Sequence, residues 1–196
     1  MKAANSSKQL FENPFLERFS RSNAIAVIAS LFGLALIIFL YGVYFRLVPL
    51  GLQILLVFAG LFAFSFFEYL IHRYVFHAGN YREGKNWQSK LHGIHHDIPS
   101  DRERLTLPMP LALGVSLVVF FLFKFLIGSL AYGFFPGFIS GYALYLLVHY
   151  WIHTRKPPKN SLKVLWRNHH IHHHVNENKA YGVTTPFWDW VFRTLP

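Results

Sequence analysis

The chain contains no cysteine, and acidic residues are scarce: 9 Asp and Glu stand against 19 Lys and Arg in 196 residues. Without thiols there are no disulfides, iron–sulfur clusters or thiolate-bound metals, so any bound metal must be held by nitrogen or oxygen. Charged residues of both signs make up only 14% of the chain, where soluble domains carry about 25%. The net charge of +10 raises nucleic acid as a partner. The basic residues form no binding stripe, however. They are segregated from long apolar stretches, which argues for a membrane and against nucleic acid.

Apolar sequence fills the space that charge leaves. Hydrophobic residues reach 53%, with 21 Phe, in a length near that of one domain. Residues 23–45 (NAIAVIASLFGLALIIFLYGVYF) carry no charge and exceed the roughly 20 residues needed to cross a bilayer. No small-residue cleavage site follows them, so the segment reads as a retained span. Residues 50–71, 109–127 and 130–152 are further spans, interrupted only by Glu68 and Lys124. The expectation is an all-α membrane protein with four transmembrane helices in two hairpins. Residues 1–22 form a cytosolic arm, residues 23–196 the domain, and residues 72–108 and 153–196 a helical cap. Of the 19 basic residues, 17 fall in the arm, the middle segment and the C-terminal segment, which an even number of spans puts on one side. The bias of Lys and Arg makes that side cytosolic, and Trp87, Trp151, Trp166, Trp188 and Trp190 fall near its interface.

All twelve histidines lie in those segments or at the span ends feeding them. Ten form four groups: His72 and His77 (HRYVFH), His92, His95 and His96 (HGIHH), His149 and His153 (HYWIH), and His169, His172 and His173 (HHIHH). On a helix, i, i+3 and i+4 share a face, so each HxxHH projects three imidazoles to one side and HxxxH projects two. The five-residue step of HRYVFH leaves its second histidine about 140° off on an ideal helix, and suits a span that ends or bends. Ten neutral imidazoles shared by two divalent ions give about five nitrogens each and leave a position open. Imidazole suits Fe, Zn, Cu and Ni, and only a redox-active ion such as iron can use that position to reduce O₂. Spacing leaves open which five histidines serve which ion. His170 and His174 are left over. Metal-bound imidazoles need a partner on the second nitrogen; Glu68, one turn before His72 inside a span, and Asp189 in FWDW are the candidates. Arg104, Lys163 and Arg167 are candidates to meet an anionic head group. A metal transporter would carry histidines inside its spans, and the span midplanes here hold none.

HGIHHDIPSDRERLTLPMP (His92–Pro110), HYWIH, HHIHHHVNENKAYGVTTPFWDWVF (His169–Phe192) and HRYVFH resemble the fatty acid hydroxylase superfamily of membrane di-iron oxygenases. Within it the chain is most similar to fatty acid 2-hydroxylases, from Glu68 to Thr194. The resemblance implies O₂-dependent hydroxylation of a lipid acyl chain at C2, in a free fatty acid or a ceramide. It also implies two Fe ions on the ten grouped histidines, with Zn a possible substitute. Eukaryotic relatives commonly carry a cytochrome b5 domain. Only about 22 residues precede the first span here, so the expected electron donor is a separate protein such as cytochrome b5 or a ferredoxin-type reductase system. Bacterial inner membrane and endoplasmic reticulum both remain open. Sterol and carotenoid oxidases are the alternatives. The HxxxH spacing at His149 departs from carotene hydroxylases, and HGxHHxxPxDxxRL departs from the sterol enzymes.

Overall fold

A short helix, α1 (Pro14–Phe19), begins where Asn13 accepts hydrogen bonds from the Phe15 and Leu16 amides. Asn23 caps the long apolar α2 (Ala24–Tyr44) in the same manner, through Ala26 N, as side-chain oxygens do at helix N-termini. α3 (Leu50–Leu70) runs on into a π-helical turn, Ile71–Phe76. After α4 (Ile94–Asp97) come the long α5 (Met109–Ile127) and α6 (Ala131–Thr154), then α7 (Lys163–His174) and α8 (Phe187–Val191). The structure, a computed structural model, describes residues 9, 11–78, 88 and 92–196. Among these there is no strand. Trp87, Lys2, Lys8, Arg82, Lys85 and Lys90 lie outside the described residues.

Three helical runs are long and apolar enough to cross a bilayer: Ala24–Tyr44, Leu50–Phe76 and Arg102–Thr154. The 53 residues of the third would make a rod of roughly 80 Å. They fold back instead. Gly128 takes φ +59° and ends α5, a backbone conformation that glycine adopts without steric cost. Phe120 then meets Phe135 at 5.3 Å and Phe123 meets Phe134 at 5.1 Å between ring centroids. The observed helices fall within two residues of the expected spans, except where α3 extends to Phe76.

α6 is the centre of the bundle. Its Ala131, Phe135, Ile139, Ala143 and Leu146 are buried against Val27, Leu31, Ala35 and Ile38 of α2. Glycines on both helices let α6 approach α3: a Cβ on Gly137 of α6 would lie 1.9 Å from the Val57 carbonyl oxygen, and one on Gly60 of α3 would lie 2.1 Å from that of Phe134. At the end remote from the histidines, buried Gln53 donates to the carbonyls of Phe39 and Tyr132 at 2.7 and 3.3 Å, tying α2, α3 and α6 together. The outward faces are apolar, with Phe125 85% and Val118 69% exposed. Contiguous exposed apolar surface on this scale belongs in lipid.

Candidate dinuclear metal centre

The ends of α3 and α6 carry four of the ten grouped histidines, and each end uses a different device. In α6, His149 and His153 sit one turn apart. On α3 an ordinary helix would turn His77 away from His72. The π-helical turn prevents this: the His77 amide bonds to the His72 carbonyl at 3.3 Å, and i→i+5 closure brings residues five apart into register. α4 supplies His95 and His96, with His92 just before it, and α7 supplies His169, His172 and His173.

These histidines converge as two fives. One group is His72, His77, His92, His96 and His172; the other is His95, His149, His153, His169 and His173. Within each group the ligand nitrogens lie within 4.8 Å of one another. Each HxxHH turns its three imidazoles toward the site, and the structure adds the partition that spacing left open. In both motifs the i and i+4 residues enter one group and the i+3 residue enters the other. Each motif therefore bridges the two groups, because 60° of helical rotation separates two neighbouring centres as readily as it lines one face.

Hydrogen bonding alone does not satisfy this arrangement. In the first group the Nε2 atoms form a chain, His96–His92–His77–His172, with contacts of 3.0, 3.1 and 3.0 Å. A neutral Nε2 carries one proton or one lone pair, so three successive contacts cannot all be hydrogen bonds. In the second group His149 faces His95 and His153 faces His169, both at 2.8 Å. Among the described residues the buried His72 Nε2 and both ring nitrogens of His173 have no hydrogen-bond partner. Burial, and then neighbouring imidazoles, hold His92, His95, His169 and His173 below the usual imidazole range. Both effects favour the neutral ring, the form that ligates metals. A cation in each group would take up the lone pairs that these contacts leave unmatched. The two clusters are positioned to bind a dimetal centre.

The segment after α7 orients the first group. His72 Nδ1 bonds to the Tyr181 carbonyl at 2.6 Å and His172 Nδ1 to that of Lys179 at 2.8 Å, which leaves each Nε2 lone pair facing the group. Between those carbonyls Ala180 takes φ +57°, a left-handed conformation that costs an alanine about 1 kcal/mol. Its amide is held by the Thr194 carbonyl at 2.8 Å.

Glu68 and Asp189 were expected to bond an imidazole, and the structure puts both one step further out. Glu68 accepts from the Val183 and Thr184 amides at 2.7 and 3.0 Å and from the Thr184 hydroxyl. Asp189 accepts from Tyr181 N, Gly182 N and Thr194 Oγ1 at 2.9, 2.8 and 2.7 Å. Burial raises the Asp189 carboxyl, and the three donors counter that rise. The two carboxylates clamp the segment whose carbonyls touch the rings. The carbonyls of Lys179 and Tyr181 left no side-chain signal in the sequence.

Arg104 is also corrected: it is buried beside Glu17 and Asp101, so its charge is met internally and not by a head group. Lys163 and Arg167 instead line a cavity of about 720 Å³ that reaches His153, His169 and His173. His170 and His174 lie against each other with ring centroids 4.6 Å apart, exposed and outside both groups.

The family model described as fatty acid hydroxylase matches residues 57–194, a stretch that contains all ten grouped histidines. The chain belongs to the fatty acid hydroxylase family. It is 36% identical over 140 residues to a dihydroceramide fatty acyl 2-hydroxylase of Arabidopsis thaliana, covering 70% of this chain and 59% of that one. It is 37% identical to the fatty acid 2-hydroxylase of Homo sapiens, over 69% of this chain and 38% of that one. The ceramide very long chain fatty acid hydroxylase scs7 of Schizosaccharomyces pombe is 33% identical over 75% of this chain and 44% of its own. The chain thus spans about four- to six-tenths of the length of these curated relatives. A solved structure of full-length scs7p, with only its hydroxylase domain visible, superposes with a TM-score of 0.84 at 29% identity, covering 95% of this chain and 71% of that one.

Proposed function

We propose that this fatty acid hydroxylase family member is a membrane di-iron monooxygenase that hydroxylates a fatty acyl chain at C2, in a free fatty acid or a ceramide. The observation that carries this reading is an apolar cavity of about 210 Å³ that opens at His72 and descends between α3, α5 and α6. His72 lines its cap end, and the apolar walls below support a hydrocarbon substrate. A second cavity, of about 470 Å³, reaches His92, His95 and His149, and shares Phe76, Leu107, Tyr142 and Tyr145 with the first. The acyl tail occupies the apolar cavity while its polar head stays on the cap side. C2, next to the head, then lies beside the histidines.

The ten grouped histidines hold the two iron ions, and iron so held supplies the redox chemistry that activates O₂. One oxygen atom is inserted into a C–H bond of C2. The other leaves as water, with two protons and two electrons from an external donor, a separate protein such as cytochrome b5 or a ferredoxin-type reductase. The apolar walls hold the tail and exclude water from the reacting carbon. The clamped carbonyls of Lys179 and Tyr181 fix the orientation of His172 and His72. The chain crosses the membrane four times, as α2, α3, α5 and α6, with the cap and its basic residues in the cytosol.

Lipid profiling of cells with and without the intact protein tests this reading. New 2-hydroxy acyl chains are expected, together with about two iron atoms per purified chain. Altered sterols or carotenoids without 2-hydroxy acids reject it, as does a metal content near zero in folded protein.

A further inference from the structure

α3 and α5 both pack on α6 but scarcely on each other, and the cleft between them is the apolar cavity below His72. Ala112, Val115, Ser116 and Val119, spaced i, i+3, i+4 and i+7, give it one wall from α5. Phe138 lies in its lining, about three turns of α6 below His149. Phe138 of α6 meets Phe64 and Phe67 of α3 at 5.2 and 5.6 Å, and Phe123 of α5 at 5.2 Å. It bridges the cleft from wall to wall. The backbone under this ring has no room to retreat, since Gly137 and Gly141 on either side are pressed against Val57 and Phe64.

Depth follows from helix geometry. Phe64 precedes His72 by eight residues, roughly 12 Å along the axis at 1.5 Å per residue. An extended chain advances roughly 1.2 Å per bond. About ten bonds therefore fit between the histidine end and the ring. We infer that Phe138 is the stop that sets acyl-chain length in this protein: a chain with about ten carbons beyond C2 fills the cleft, and a longer one must bend out sideways. This inference rests on the acyl-hydroxylase reading above and adds to it a length and the residue that fixes it. The stop acts through the tail alone, so it leaves the head group unspecified.

The test is to express the intact chain and its variants in cells supplied with acids of about 10 to 20 carbons. Total lipids are hydrolysed, and 2-hydroxy acids are quantified by length against the non-hydroxylated pool. The unaltered protein should favour chains near 12 carbons by about tenfold over those of 18, since each unburied methylene weakens binding. Phe138→Ala should move the preference to longer chains and narrow that ratio to about threefold or less. Val119→Phe, which fills the cleft from the opposite wall, should move it to shorter ones. An unchanged length profile in a variant that still forms 2-hydroxy acids overturns the inference and leaves the hydroxylase reading intact. If Phe138→Ala loses its metal and fails to fold, the Val119→Phe profile decides alone. No 2-hydroxy acid of any length from the unaltered, iron-loaded protein sinks the hydroxylase reading, and the inference with it.

Discussion

The two five-histidine groups have equal numbers of imidazoles and are held by different means. The first is fixed by hydrogen bonds: His72 and His172 are tied to carbonyls of a segment that Glu68 and Asp189 grip in turn. In the second, Nδ1 of His95, His149 and His169 is buried without a hydrogen-bond partner among the described residues, and position comes from the rigidity of α4, α6 and α7. Their surroundings differ too. His72 of the first group lines the apolar cleft, whereas His153, His169 and His173 of the second border a larger cavity whose lining includes Arg155, Lys163 and Arg167. One centre can be fixed by the groups bonded to its ligands and its neighbour by the helices that carry them.

Substituting adjacent residues tests whether the groups are separate. His172→Ala and His173→Ala alter neighbours on one helix that face different groups. Each should lower hydroxylation by more than about 100-fold while reducing the metal content from about two ions to about one. Loss of both ions from either variant would show that the groups assemble only together.

The clamp gives the next largest effect. Asp189→Asn turns an N–H toward amides that themselves need an acceptor, and should destabilise the protein by about 2 kcal/mol. Thermal melting reads the loss, and metal analysis should find it accompanied by depletion of the first group only. Equal depletion of both would mean that the segment supports the whole cap.

Chelation should separate the groups in time. A polar chelator reaches the second group through the cavity at Lys163 and Arg167, so metal release should be biphasic, with the second group emptied first. The melting temperature should fall at each step, because a ligand bound only to the folded state stabilises it. Single-phase release would erase the distinction in access. The smallest effect belongs to the double variant His170→Ala and His174→Ala, which should change stability by less than about 0.5 kcal/mol and leave metal content as it was. α7 would then be divided into three histidines that face the site and two that do not.

The division among these five was legible in the sequence, because spacing separates His169, His172 and His173 from His170 and His174. The four apolar helices were legible from their composition. The partition into fives was not, since i+3 and i+4 look alike on a helical wheel until a second centre lies beside the first. Nor was the role of Glu68 or Asp189. A buried carboxylate near a histidine implies a direct bond, and only the fold reveals a loop between them. Arg104 misled for a similar reason: its partner Glu17 lies 87 residues away in sequence.

The glycine contacts of α6 have a mechanical consequence. Backbone comes close to backbone at Gly60, Gly133 and Gly137, so along that stretch α3 and α6 approach too closely for side chains to cushion them. α5 has no such lock; it leans on α6 and α2 through aromatic and aliphatic side chains, which can slide and change rotamer. The apolar cleft below His72 thus has one rigid jaw and one compliant jaw. If the cleft widens for the proposed acyl chain, the side-chain packing of α5 is where it would give.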